Sequence, residues 1–124
     1  CFAVVSDEIS EDVRLKKTVG RLATYLQGYG DLMVKTNGWD AAALDAFRAD
    51  EFVSTFRGAL DDVATPDQLA HVATLIPDEW LAPMATGSPA QCAEAVKGQL
   101  DMGCDGVIMH GVNPSQLRSV IEAY

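Results

Sequence analysis

Met102-Gly103-Cys104-Asp105-Gly106-Val107-Ile108-Met109-His110-Gly111 and, at the other end of the chain, Cys1-Phe2-Ala3-Val4-Val5-Ser6-Asp7-Glu8 decide the fold. Each holds a short apolar run closed by polar residues or glycine, the pattern of a strand buried on both faces of a parallel sheet. Strands are therefore predicted over residues 1–5 and 106–110. The chain opens without Met, directly inside the first of these runs. Because a terminus normally lies at the surface, that start reads as a truncation within a buried element.

The residues between the two strands read as helices. Ser10 is placed to cap a helix whose first turn carries Glu11 and Asp12. Leu15, Val19, Leu22, Ala23 and Leu26 form its apolar face, and Gly28 and Gly30 are expected to stop it. Asp40 caps a shorter segment carrying Leu44 and Phe47, and Phe52, Phe56 and Leu60 continue as one packing stripe. Thr65-Pro66 starts a helix with Leu69, Val72, Ala73 and Ile76 on one face, closed by Pro77. Residues 78–86, which include Trp80, are apolar but irregular and fit either a loop or a single helical turn. Gly87-Ser88-Pro89 opens a helix with Cys92, Ala93, Val96 and Leu100 on one face, and Gly103 ends it. Asn113-Pro114 starts a closing helix with Leu117, Val120, Ile121 and Tyr124.

Two strands cannot close a sheet, and their alternation with helices points to a parallel α/β architecture, mostly helical, with two or so parallel strands. A complete (β/α)₈ barrel takes about 250 residues, so these 124 correspond to its last half and form a single unit. Hydrophobic residues make up 48% and charged residues 22%, the balance of an ordinary globular chain rather than a disordered or fibrous one. The formal charge of −9 would repel phosphate backbones and anionic lipid, so neither nucleic acid nor membrane is expected as a partner. With no long apolar run and no leader pattern, a cytoplasmic location is expected. Cys1, Cys92 and Cys104 make no C-x-x-C pair and read as small buried hydrophobes, and no metal-ligand spacing is present.

Order and spacing also carry a resemblance. Val4-Val5-Ser6-Asp7-Glu8-Ile9-Ser10-Glu11 followed by Arg21-Leu22-Ala23-Thr24-Tyr25-Leu26 resembles the strand and helix that begin the C-terminal half of luciferase-like monooxygenases. Thr86-Gly87-Ser88-Pro89-Ala90-Gln91-Cys92 resembles that family's late helix start, although Gln91 stands where the family often has an acidic residue. Residues 102–111 resemble its final barrel strand. Residues 25–32 and 76–80 look most like the branch that uses the deazaflavin coenzyme F-420. The resemblance implies the C-terminal portion of a TIM barrel that transfers hydride or oxygen to a small organic substrate. Its cofactor would be reduced F-420 or flavin mononucleotide (FMN), and the enzyme would be homo-oligomeric. The phosphate contacts would lie on earlier strands, so these residues alone would be inactive.

Catalytic groups of such a barrel lie at the C-terminal ends of its strands, and His110 ends one. A neutral imidazole there could donate to a ring carbonyl or relay a proton, against the plain reading of a satisfied strand end. Cofactor-binding positions are expected at Gly111, where backbone could approach a ligand, at Trp80, which could cover a flat heterocycle, and at Ser6 beside Asp7. For each, the plain alternative is a turn, a packing aromatic or a helix cap. His71 lies off its helix's apolar stripe and reads as solvated. The competing function is a non-enzymatic α/β interaction domain that self-associates through exposed strand edges and apolar helix faces. A different parallel α/β enzyme also fits, because fold does not fix chemistry.

Overall fold

The computed structural model describes residues 2–124, so the expectations for Cys1, a strand residue with a buried thiol, fall outside the described residues. Strand β1 (Phe2–Ser6) is the centre of a three-stranded sheet. On one side it pairs in parallel with β2 (Ala85–Gly87), on the other with β3 (Met109–His110). The expected parallel pairing of the first and last strands is present, within a mostly helical α/β fold.

The sheet departs from expectation at two places. Only Met109 and His110 of residues 106–110 find a partner on β1, and Ile108 is 77% exposed, so this run is not the buried strand its apolarity suggested. Conversely, β2 lies in the segment read as irregular. Three residues give no measurable alternation, and the strand is recognisable only through its pairing: Val4 beside Ala85, Val5 beside Thr86, Ser6 beside Gly87. The single helical turn considered there also exists, as α7 (Asp78–Leu81).

Helix α1 (Glu11–Leu15) runs through a one-turn π segment (Lys16–Gly20) into α2 (Arg21–Asn37). Ser10 makes no side-chain cap. Gly28 and Gly30 do not end the helix; they only precede and follow a kink at Tyr29 (φ −130°, ψ 16°). Gly30 serves a close approach instead, since a Cβ there would sit 2.7 Å from Leu44 Cδ1 on α3 (Ala41–Ala49). The stop is Gly38, whose φ of 66° is the left-handed conformation that closes helices.

Beyond α3, which Asp40 caps as expected through Ala42 N–H, come α4 (Glu51–Thr55) and α5 (Leu60–Val63). The expected Phe52, Phe56 and Leu60 stripe is broken, because Phe56 is already extended and Leu60 begins a new turn. Val53 and Leu60 are the buried residues, and the two phenylalanines pack half-buried at 5.1 Å between centroids. Helix α6 (Pro66–Ala73) starts with a capping box in which Thr65 and Gln68 satisfy each other's backbone N–H. Helix α8 (Pro89–Asp101) repeats the device with Ser88 and Gln91, which gives Gln91 a structural task. Helix α9 (Arg118–Ala123) begins later than Asn113-Pro114 suggested, and only Leu117 and Val120 of its stripe are buried.

Side chains alternate along β1, and the two faces bury different helices. Val4 packs with Ala85, Cys92, Ala93, Val96, Leu117 and Val120 beneath α8 and α9. The larger core joins the π segment and α2 to α7, with Leu26, Phe47, Leu60, Leu69 and Trp80 among its fully buried side chains. Cys92 is buried, as expected; Cys104 is exposed, because Gly103 has already turned the chain away from α8.

His71 is half-exposed but not merely solvated: its Nε2 lies 3.0 Å from Asp50 Oδ2. Asp50 also caps α4, accepting from Val53 N–H at 3.0 Å. That backbone bond, with a smaller contribution from His71, holds the Asp50 carboxyl below its usual pKa. A depressed carboxylate stabilises the fold fully above its unfolded pKa of about 3.9, and the contribution disappears as pH falls through the lower folded value. Asp50→Ala is expected to cost about 1 kcal/mol at neutral pH, the usual loss of a cap. In urea titrations the gap to the parent protein should narrow below about pH 4. A gap that is constant from pH 7 to pH 2 would show that the charge plays no part.

Candidate functional site

The parallel register places His110 beside Ala3, so both project from the same face of the sheet, the one covered by α2. A cavity of about 240 Å³ opens there, lined by Ala3, Arg21, Tyr25, Trp39, Trp80 and His110 among others. Each wall has a local cause. Arg21 and Tyr25 are one turn apart at the start of α2, and the guanidinium lies 5.9 Å from the tyrosine ring centre. Arg21 is held by Asp61 at 3.0 Å, and Asp61 also accepts from Thr24 Oγ1 at 2.8 Å. Trp39 follows the Gly38 turn and stacks on Trp80, with centroids 4.6 Å apart and planes 10° from parallel. Trp80 itself is 2% exposed and anchored by the α7 turn.

Of the four positions expected to meet a ligand, the structure brings together His110 and Trp80. Trp80 has one face already covered by Trp39, so a ring entering the cavity meets the other face or the edge. Ser6 shares its face of β1 with Val4, opposite Ala3 and His110, and is 1% exposed beneath α8. Gly111 has a φ of 103°, which strains any other residue, and a Cβ there would lie 3.6 Å from Lys17 Cβ. Its glycine is required by the turn onto the π segment, outside the cavity lining. Sequence reasoning missed Arg21, Tyr25 and Trp39. The i, i+4 spacing of the first two was visible, but which face of α2 meets the sheet was not.

A larger hollow of about 420 Å³ lies on the other side of the sheet, between α8, residues 105–109 and α9. It is apolar, with Asp105 as its one carboxylate, and offers no convergent polar chemistry. Burial pushes the Cys92 thiol up, and its Sγ lies 3.5 Å from Ala85 O, so it stays a protonated donor inside the core. Among the described residues no group of three His, Cys, Asp or Glu could hold a metal ion, and no helix is long and apolar enough to cross a membrane.

Comparison with protein-family models, with curated proteins and with solved structures finds no match to this chain.

Proposed function

We propose that these strands belong to a cytoplasmic parallel α/β oxidoreductase that uses reduced coenzyme F-420 or FMN, the function that the resemblance to luciferase-like enzymes implies. The observation that carries this reading is His110, beside Ala3 on the central strand, facing a cavity walled by Tyr25, Trp39 and Trp80. Flat aromatic walls suit a planar ring, although Ala3, Pro83 and Met84 place the cavity towards the N-terminal ends of β1 and β2. The sheet departs from the expected (β/α)₈ barrel: consecutive barrel strands are neighbours, whereas β1 lies between β2 and β3, the order of an open doubly wound sheet.

The described residues suit the ring of such a cofactor and not its phosphate. The capping boxes of α6 and α8 occupy those helix N-termini with their own side chains, and the net charge is −9. When bound, the cofactor supplies the hydride or the activated oxygen. The chain's own residues position and shield: the tryptophan pair excludes water from one side, and His110 holds a proton at the ring edge. These 124 residues should therefore bind FMN or F-420 weakly or not at all, while a complete enzyme would bind it and oxidise or reduce a small organic substrate. Fluorescence titration of both proteins is the test. Tight stoichiometric binding by the 124-residue chain would place the phosphate site here and overturn this division of labour.

A second reading, the self-associating interaction domain, has one observation in its favour. Met102, Ile108, Ile121 and Tyr124 are exposed around the apolar hollow beside the free edge of β3. In a larger parallel sheet, that edge pairs with a further strand; in an interaction domain, it pairs with a second copy. Sedimentation of the chain across a hundredfold concentration range separates them, since only the second reading requires a defined dimer.

A further inference from the structure

Because β1 lies between β2 and β3, the chain leaves the central strand towards one side and later crosses to the other. The first crossover, through α2 to α7, covers the Ala3 face of the sheet, and the second, through α8, covers the Val4 face. β1 and β3 are thus neighbours whose following segments part, α1 and α2 to one face and α9 to the other. In an open parallel sheet such a parting leaves a crevice outside the C-terminal ends of the two strands, and ligands of this architecture bind there. The crevice is present. About 500 Å³ opens between Glu8, Ile9 and Val13, which follow β1, and Ser115, Arg118 and Glu122, which follow β3, among others. That volume falls within the range of about 300–1,000 Å³ that small-molecule sites take. The cavity beside His110 lies towards the opposite ends of β1 and β2, so the two sites are separate.

The crevice carries charges of both signs, and they are not spent on one another. Arg118 and Glu122 stand one turn apart on α9, a spacing at which a guanidinium and a carboxylate commonly pair. Among the described residues, however, neither of them forms an ion pair, and nor does Glu8. We propose that this crevice binds a small diamino acid, a ligand with one carboxylate and two ammonium groups. The Arg118 guanidinium matches the ligand's carboxylate through two parallel N–H···O bonds, and Glu8 and Glu122 each match one ammonium. Two carboxylates against one guanidinium leave the lining with a single negative charge, which a ligand of this class compensates. The same excess disfavours phosphate, and the net charge of −9 draws a cationic ligand in. Ile9 and Val13, half-buried in the same lining, offer apolar contact to the methylenes between the charged ends.

Lysine is the probe, with norleucine, which lacks the side-chain ammonium, and cadaverine, which lacks the carboxylate, as controls. Nitrogen-15 amide spectra of the full chain should show saturable shifts at residues 8–10 and 115–119. Lysine should bind about three- to fivefold more tightly than either control at low salt, the contribution of one well-placed exposed ion pair, and the advantage should shrink as salt is added. Arg118→Gln should abolish the advantage over cadaverine and keep the advantage over norleucine; the double variant Glu8→Gln, Glu122→Gln should do the opposite. All three side chains are exposed, so circular dichroism of the variants should match the parent. Equal constants for the three compounds, tighter binding of inorganic phosphate, or variants that weaken all three compounds alike would each overturn the proposal. So would shifts confined to the cavity beside His110, or no saturable shift in a folded chain. No flavin takes part in these measurements, so their outcome is independent of the oxidoreductase reading.

Discussion

Trp80→Ala is expected to lower folding stability by about 3–5 kcal/mol, the largest single loss among the positions considered, because it empties the volume of a fully buried aromatic. Trp80 is 2% exposed and is among the largest fully buried side chains. Its removal also ends the stack with Trp39 at 4.6 Å, an aromatic pair worth about 0.5–1.5 kcal/mol beyond burial, which is part of the same total. Domains of this size hold about 5–15 kcal/mol in all, so the variant should be close to its unfolding midpoint in dilute urea. Trp80→Phe should lose far less, since a ring stays in place and an unsatisfied buried N–H disappears with the indole. Urea denaturation followed by circular dichroism measures both. A loss below about 1 kcal/mol for Trp80→Ala would mean that the cavity wall is a mobile flap rather than part of the core.

What the sequence disclosed follows from how local each signal is. Thr65-Pro66 and Ser88-Pro89 were legible as helix starts because a cap acts within four residues; the capping boxes that Gln68 and Gln91 complete were not foreseen. Parallel pairing of β1 and β3 was legible because a helix-rich crossover permits little else. Gly28 and Gly30 misled because glycine carries two meanings, a chain reversal and a close approach, and only the position of Leu44 tells which applies. β2 was hidden because three residues are too few for a period, and Ile108 misled because apolarity does not say whether another element covers it. The site followed the same rule. His110 was found from its place at a strand end, whereas Arg21, Tyr25 and Trp39 converge on it only through the packing of α2 on the sheet.

If the proposed oxidoreductase reading holds, His110→Ala in the complete enzyme is expected to lower turnover on the order of 10²-fold where the imidazole moves a proton in the transition state, the lower end of what a positioned acid or base contributes. The geometry separates this loss from a folding defect. His110 is half-buried and pairs with β1 in a strand of only two residues. The side chain projects toward the cavity shared with Tyr25 and Trp80, not into the packed core beneath α8. Truncation should therefore change stability by no more than about 1 kcal/mol, as at surface and cavity positions generally. The decisive comparison is steady-state kinetics of the variant at a temperature where its circular dichroism matches the parent. A fall in kcat with KM nearly unchanged assigns the imidazole to the transition state, whereas a rise in KM alone assigns it to holding the ring. Unchanged kinetics in the folded variant would make His110 a strand-end residue without a part in the chemistry.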